Sequence, residues 1–182
     1  MISYSKLCDI ISDGRVKKLR DIIDTSVRDI NLVRSETGAT LLHYALLNPK
    51  YDIIKLLIDK GVDVNALEET RGYPCLYYYI QTYQLYGEDL DKSKDVIAFL
   101  VDLGFDINLR DKYGNSTLSR LILTYFNSDK ITYAAVKSVI VDYSHTRANL
   151  EKALSYVRDR LTPSSDEVEL LDLEKLLVAY IK

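Results

Sequence analysis

Apolar residues recur along the chain at helical spacing, in short segments separated by glycine and polar turns. Three segments repeat the spacing i, i+3, i+4, and their apolar triplets are Leu19, Ile22 and Ile23, then Ile53, Leu56 and Leu57, then Val96, Phe99 and Leu100. This spacing places three apolar side chains on one face of a helix. Glycine (7) and proline (3) are scarce, which disfavours a fold built from hairpins. The pattern predicts an all-α fold.

The segments belong to an internal repeat. "LLIDKGVDVNALEETRG" at 56–72 and "FLVDLGFDINLRDKYG" at 99–114 share a Gly-x-Asp-x-Asn core and end in a second glycine. A weaker copy ends at Gly38, and its Asn31 lies 34 residues before Asn65. A helix start follows each final glycine, with Leu42, Leu76 and Leu118 on its inward face. The chain is therefore predicted to be a stack of helix pairs.

The residues of the repeat have physical reasons for their positions. Gly61 and Gly104 follow helix ends, where the chain turns into a left-handed conformation that glycine adopts at low cost. The Asp and Asn that come next favour turns through hydrogen bonds to their own backbone. Thr40 is placed to cap the next helix.

Residues 40–68 resemble an ankyrin repeat. The family pattern is Thr-Pro-Leu-His, then Ala, a second helix and Gly-x-Asp-x-Asn, with a period of about 33 residues. The positions that match are Thr40, Leu42, His43, Ala45, Gly61, Asp63 and Asn65, while Leu41 replaces the proline. The resemblance implies an ankyrin-repeat solenoid of about five helix pairs with short hairpin-like loops. It also implies that the His43 ring bonds to a neighbouring loop.

One domain over 1–182 is predicted, in five units. Their approximate bounds are 1–33 (a cap), 34–67, 68–110 with an insertion, 111–145, and a degenerate 146–182. The predicted helices are 4–12 with 15–25, 40–47 with 51–60, 74–86 with 91–103, 116–125 with 131–143, and 147–161 with 164–181. In the last pair, either Ser164 and Glu167 form a capping box or Thr162 caps a helix that begins at Pro163. This pair is a C-terminal cap, or the chain is cut from a longer array; an apolar stripe up to its last residues favours the cut chain.

The segment 74–95 is rich in tyrosine. Aligning Gly72 with Gly38 places Tyr79 in the core and Tyr77 at the histidine position of the motif, where its hydroxyl could replace the imidazole bond. Tyr83 continues the inward stripe. Tyr79 replaces a small Ala, which predicts a distorted stack between units two and three. Gly61 and Gly104 are 43 residues apart, so the unit carries about ten extra residues, predicted to lengthen a helix rather than form a disordered loop.

Catalytic and metal-binding patterns are absent from the sequence. His145 has no second ligand at metal spacing, so a solvated or capping role is expected. Cys8 and Cys75 lie among apolar residues and are predicted to be packed, inert thiols, although a helix N-terminus could lower the pKa of Cys75. No phosphate-binding or nucleophile motif is present, and the adjacent Glu68 and Glu69 fall in a loop. The sequence therefore predicts a non-enzymatic protein with no cofactor and no metal.

Charge and hydropathy limit the partners. The net charge of −3 and the lack of a basic stripe disfavour nucleic acid, so an RNA-binding repeat is a weak alternative. No apolar run approaches the roughly 18 residues that cross a bilayer, so no membrane partner is expected. Protein binding remains, through the loop tips and the outward face of the first helices, which together are predicted to form a concave wall. The candidate residues are Tyr44, Tyr78 and Tyr86 on helices, and Glu69, Arg71, Tyr73, Arg110, Lys112 and Tyr113 on loop tips.

The chain also resembles the poxvirus ankyrin-repeat host-range proteins. The resemblance lies in its degenerate motifs, its lengthened third unit and its frequent Tyr, Ile, Asp and Lys residues. That resemblance implies capture of a host antiviral protein of the interferon response in the host cytoplasm. It also implies an F-box-like segment that recruits a cullin-1 ubiquitin ligase, and no such segment occurs in this sequence. The alternative is a generic ankyrin scaffold of a cellular or bacterial protein with no ligase link. Neither interpretation fixes the oligomeric state.

Overall fold

The computed structural model describes residues 2–86, 90–127, 133–161 and 168–181. Within these ranges the chain forms ten α-helices and one 3-10 turn, Ile30–Leu32. The α-helices are α1 Tyr4–Ser12, α2 Val16–Ser26, α3 Leu41–Ala45, α4 Tyr51–Asp59, α5 Cys75–Tyr86, α6 Leu90–Asp102, α7 Thr117–Asn127, α8 Tyr133–Asp142, α9 Arg147–Arg160 and α10 Val168–Ile181. The only β pairing in the described ranges is three isolated bridges, so the predicted all-α fold is confirmed.

The helices stack in two rows. The first helices of successive pairs, α1, α3, α5, α7 and α9, pack side by side in that order, and α2 packs on α4, α6 on α8 and α8 on α10 in the second row. The two helices of a pair also contact each other, as α9 and α10 do. Each unit therefore buries apolar surface against its neighbours as well as between its own two helices.

Helix α3 is shorter than the predicted segment 40–47. It begins after Thr40, which joins His43 in a capping box, and it stops before Leu46. Pro49 follows closely, and the residue before a proline avoids helical geometry. By contrast α5 runs for 12 residues, so the predicted lengthening of this helix is confirmed. Residues 87–89 and the side chains of 82–95 lie outside the described residues, as do both caps predicted at 162–167.

The core is continuous along the stack. Leu42, Leu76 and Leu118, the positions aligned from the sequence, are each 0% exposed. Burying one such leucine contributes roughly 1.5–3 kcal/mol. Tyr79 is also buried, as predicted, and Tyr77 is the largest side chain with no exposure among those that the structure describes. The distortion predicted at Tyr79 stays a prediction.

An asparagine ladder links each unit to the next. The Nδ2 of Asn31 donates to the Gly61 carbonyl (2.8 Å), and its Oδ1 accepts the Asp63 N–H (2.9 Å). Asn65 makes the same pair of bonds to Gly104 and Asp106, at 2.9 and 2.8 Å. Two hydrogen bonds per asparagine therefore fix the spacing of consecutive turns.

The ladder continues where the Gly-x-Asp pattern ends. Asn108 bonds to the Ser144 carbonyl (2.9 Å) and the Thr146 N–H (3.0 Å). Thr146 is also the N-cap of α9, and its hydroxyl accepts the Asn149 N–H (3.4 Å). The fifth helix pair is thus attached by the same ladder although its sequence lacks the motif.

Candidate protein-binding surface

Three turns between units form the loop tips, which we define as residues 35–38, 68–72 and 111–114. Each tip is closed at its base by an isolated bridge, Arg34 with Thr40, Leu67 with Pro74 and Arg110 with Ser116. Inside each tip a side-chain oxygen accepts backbone N–H groups. The Ser35 hydroxyl accepts those of Thr37 and Ala39, the Glu68 carboxylate those of Thr70 and Arg71, and the Asp111 carboxylate those of Tyr113 and Asn115. The tips are therefore ordered by their own hydrogen bonds.

The tips stack against one another in a row. The Glu69 N–H donates to the Thr37 carbonyl and the Lys112 N–H donates to the Arg71 carbonyl, both at 3.0 Å. Gly72 has φ +70°, and a Cβ on it would lie 3.0 Å from the Lys112 nitrogen. Both the conformation and the close approach require glycine there. The row is consequently a rigid edge of the stack.

Two equivalent aromatic residues hold the tips onto the first helices. The His43 Nδ1 accepts the Thr40 N–H (3.2 Å), which leaves Nε2 to donate to the Tyr73 carbonyl (2.9 Å). One unit later the Tyr77 hydroxyl donates to the Asn115 carbonyl (2.6 Å), the equivalent backbone position. Both predictions, the structural histidine and its replacement by tyrosine, are confirmed. Burial lowers the pKa of His43 to about 4 and raises the pKa of the Tyr77 hydroxyl.

The helical candidates are less exposed than the sequence predicts. Tyr44 is half-buried, and its hydroxyl hydrogen-bonds that of Ser12 on α1 (2.8 Å). Tyr78 is half-buried with its ring edge against His43, 5.0 Å between centroids. Their rings lie against the preceding first helix, so each offers only part of its surface to a partner. The side chain of Tyr86 lies outside the described residues.

The loop-tip candidates come together at the second and third tips. Glu69, Arg71, Arg110, Lys112 and Tyr113 are exposed, and Tyr73 is half-buried at the base of its tip. The Lys112 ammonium donates to the carbonyls of Glu69 and Thr70, which ties one tip to the other. Arg110 donates to the Asn149 side chain (2.5 Å) and Glu69 lies 3.9 Å from Arg34. Tyr113 is 63% exposed, so it projects from the row.

Arg120 completes this group and was missed by the sequence reasoning. Its guanidinium lies between the rings of Tyr73 and Tyr77, 4.8 and 4.9 Å from their centroids, and 3.1 Å from the buried Asp111 carboxylate. Arg71 covers Tyr73 as well, at 5.6 Å. The sequence did contain a signal for Arg120, because aligning Gly114 with Gly38 places it at the position equivalent to the candidate Tyr44. The result is an ordered cluster of arginine and tyrosine beside the tips.

The two cysteines, His145 and Glu68 have structural rather than chemical roles. Cys8 and Cys75 are buried, and desolvation raises their thiol pKa to about 11 and about 12, so the packed-thiol prediction is confirmed. The His145 Nε2 bonds to the Val139 carbonyl (2.7 Å) in the last turn of α8, which is the predicted capping role. Glu68 is 3% exposed and serves its own turn. In the described ranges no three potential ligands cluster as a metal site would need, and no helix is long and apolar enough to span a bilayer.

Comparison with known proteins agrees with this geometry. A family model described as ankyrin repeats (3 copies) matches residues 7–111. An ankyrin repeat protein of Acanthamoeba polyphaga mimivirus is 38% identical over 98 residues, 53% of this chain and 11% of that protein. The ankyrin repeat and SAM domain-containing protein 6 of Rattus norvegicus is 26% identical over 110 residues, 60% of this chain and 11% of that protein. An ankyrin repeat protein of Fowlpox virus is 31% identical over 87 residues, 36% of this chain and 20% of that protein.

The chain spans only about a tenth of the first two relatives and a fifth of the third. The family match covers more than half of the chain, and it includes the first two rungs of the asparagine ladder and the first two tips. Ankyrin repeats are protein-interaction modules that are typically non-enzymatic. The stacked helix pairs and the asparagine ladder agree with the family match, and this chain therefore belongs to the ankyrin repeat family.

Proposed function

We propose that this protein is the partner-capturing part of a viral adaptor, and that its loop tips make the contact. The observation that carries the proposal is the exposed row of Arg71, Lys112 and Tyr113 on tips locked to one another by backbone hydrogen bonds. Arginine and tyrosine most often carry interface energy, and a rigid edge loses little entropy on binding. A concave wall on the first helices would extend the contact.

The viral context rests on resemblance and on relatives. Viral proteins from mimivirus and fowlpox virus are among the similar proteins, which supports a viral ankyrin module. We extend this to a host-range role: capture of a host antiviral protein in the host cytoplasm, and its delivery to a cullin-1 ligase through a segment outside this sequence. The alternative is a scaffold of a cellular or bacterial protein, which similar proteins in rat and Rickettsia bellii favour.

A capture experiment tests the surface. The chain is immobilised and exposed to extracts of interferon-treated cells, beside the double variant Arg71→Ala, Tyr113→Ala and a matched control, Arg20→Ala, on the exposed side of α2. The expected result is a host protein retained by the wild type and the control and lost from the tip variant. Equal retention by all three would place the contact elsewhere.

A degradation experiment tests the finer role. The full-length gene product is made in cells with and without an inhibitor of cullin activation, and the captured protein is quantified. The expected result is loss of the captured protein that the inhibitor reverses. An unchanged level in both arms would leave the scaffold interpretation standing and exclude ligase delivery.

A further inference from the structure

The second and third tips differ in charge from the chain as a whole. The protein carries a net charge of −3, yet four cations gather here: Arg71 and Lys112 in these two tips, Arg110 at the base of the third tip and Arg120 at the start of α7. Three acids accompany them: Glu69 is exposed, and the other two are engaged inside the fold. Glu68 and Asp111 are 3% and 6% exposed, and both accept backbone N–H groups of their own turns. Three exposed cations (Arg71, Arg110 and Lys112) against the exposed Glu69 carboxylate leave this face with a net positive charge.

Tyrosine accompanies the cations. Tyr113 stands 63% exposed next to Lys112, and Tyr73 lies between Arg71 and Arg120 at 5.6 and 4.8 Å. Ring stacking holds a guanidinium in place without occupying all of its N–H donors, which leaves donors for a carboxylate. The two tyrosines add apolar surface beside these donors. The surface thus combines fixed positive charge with aromatic contact area.

We infer that the tip row of Arg71, Lys112 and Tyr113 recognises an acidic, extended segment of the partner protein, with carboxylates on the cations and an apolar side chain against Tyr113. This inference rests on the proposed function and narrows it to a class of partner. An acidic peptide is favoured over RNA because few cations are present and the remainder of the chain is acidic, whereas RNA binding needs many phosphate contacts. The Arg guanidinium suits a carboxylate through paired hydrogen bonds.

The test begins with display of random linear peptides against the immobilised full chain. We expect the enriched peptides to be acidic overall and to carry an aromatic or aliphatic residue. One enriched peptide is then fluorescently labelled and titrated by anisotropy. Arg71→Glu and Tyr113→Ala should each weaken its binding by about tenfold, and added salt should weaken it further. The control Arg20→Glu makes the same charge change on exposed α2 and should stay within about twofold.

Circular dichroism and thermal melting establish that each variant is folded. Enrichment of neutral or basic peptides would overturn the acidic-partner inference and leave protein binding intact. Equal weakening by Arg71→Glu and Arg20→Glu would overturn it as well, because the effect would then follow net charge. If added RNA displaces the labelled peptide, nucleic-acid binding would replace the acidic-partner inference. If the display enriches no peptide, this inference fails, whereas the proposed function fails only if the capture experiment also retains no host protein.

Discussion

Protonation of His43 should destabilise the stack. The ring is fully buried, with Nδ1 accepting the Thr40 N–H and Nε2 donating to the Tyr73 carbonyl. Adding a proton to Nδ1 removes that acceptor and places a charge in the core, which the nearby Glu68 carboxylate offsets only in part. Desolvation accordingly lowers the pKa of His43 from its usual 6.5 to about 4.

The sign of the pH dependence follows from linkage. Between the two pKa values the unfolded chain binds a proton at this position and the folded chain does not, so stability falls as pH falls. The contribution is fully present above about pH 6.5 and is lost progressively toward about pH 4. With these two pKa values the loss between about pH 7 and about pH 5 is about 2 kcal/mol.

Urea unfolding at several pH values measures this loss. The variant His43→Gln keeps a neutral polar group at a position where capping boxes accept glutamine, so it should show a weaker acid dependence than the wild type. Because the chain has only two histidines, NMR titration with a His145 variant for assignment measures the pKa of His43 directly. A His43 midpoint near the unperturbed value, or an unchanged acid dependence in His43→Gln, would refute the reasoning.

Three further predictions concern the joints between units. Tyr77→Phe removes the hydroxyl bond to the Asn115 carbonyl and should lower the free energy of unfolding by about 1 kcal/mol in urea titrations; no change would mean that the bond is not structural. Gly72→Ala should cost about 1 kcal/mol more than Gly61→Ala, because both have positive φ but only Gly72 faces the backbone of the next tip; equal melting shifts would contradict this. Asn108→Ala removes the last rung of the ladder and should cost about 2 kcal/mol, with faster amide exchange in α9 than in α3.

The sequence predicted the joints well because glycine fixes the alignment. Once Gly38 and Gly72 are superposed, the positions of His43 and Tyr77 follow, and their bonding partners occupy equivalent places in the next turn. Helix α5 was predictable for a similar reason, since its tyrosines keep a helical spacing. These features depend only on the spacing of residues along the chain, which can be read directly from the sequence.

The sequence predicted the surface less well because side-chain orientation is not recorded in it. Tyr44 was expected to be exposed, but a long ring can lie against the neighbouring helix, where its hydroxyl finds Ser12. Glu68 was taken for an ordinary loop carboxylate, although the structure places it inside the turn, as it does Asp111. Arg120 gains its role from Tyr73 and Tyr77 rather than from any motif of its own.

The shortness of α3 has a consequence for how the protein assembles. Five residues form little more than one helical turn, and a segment of that length does not persist in isolated form. Its order therefore depends on contact with α1 on one side, with α5 on the other and with its pair partner α4. Without either neighbouring helix, α3 loses contacts that keep it ordered. We therefore expect the smallest unit that folds cooperatively at this end of the chain to extend over three repeats rather than one.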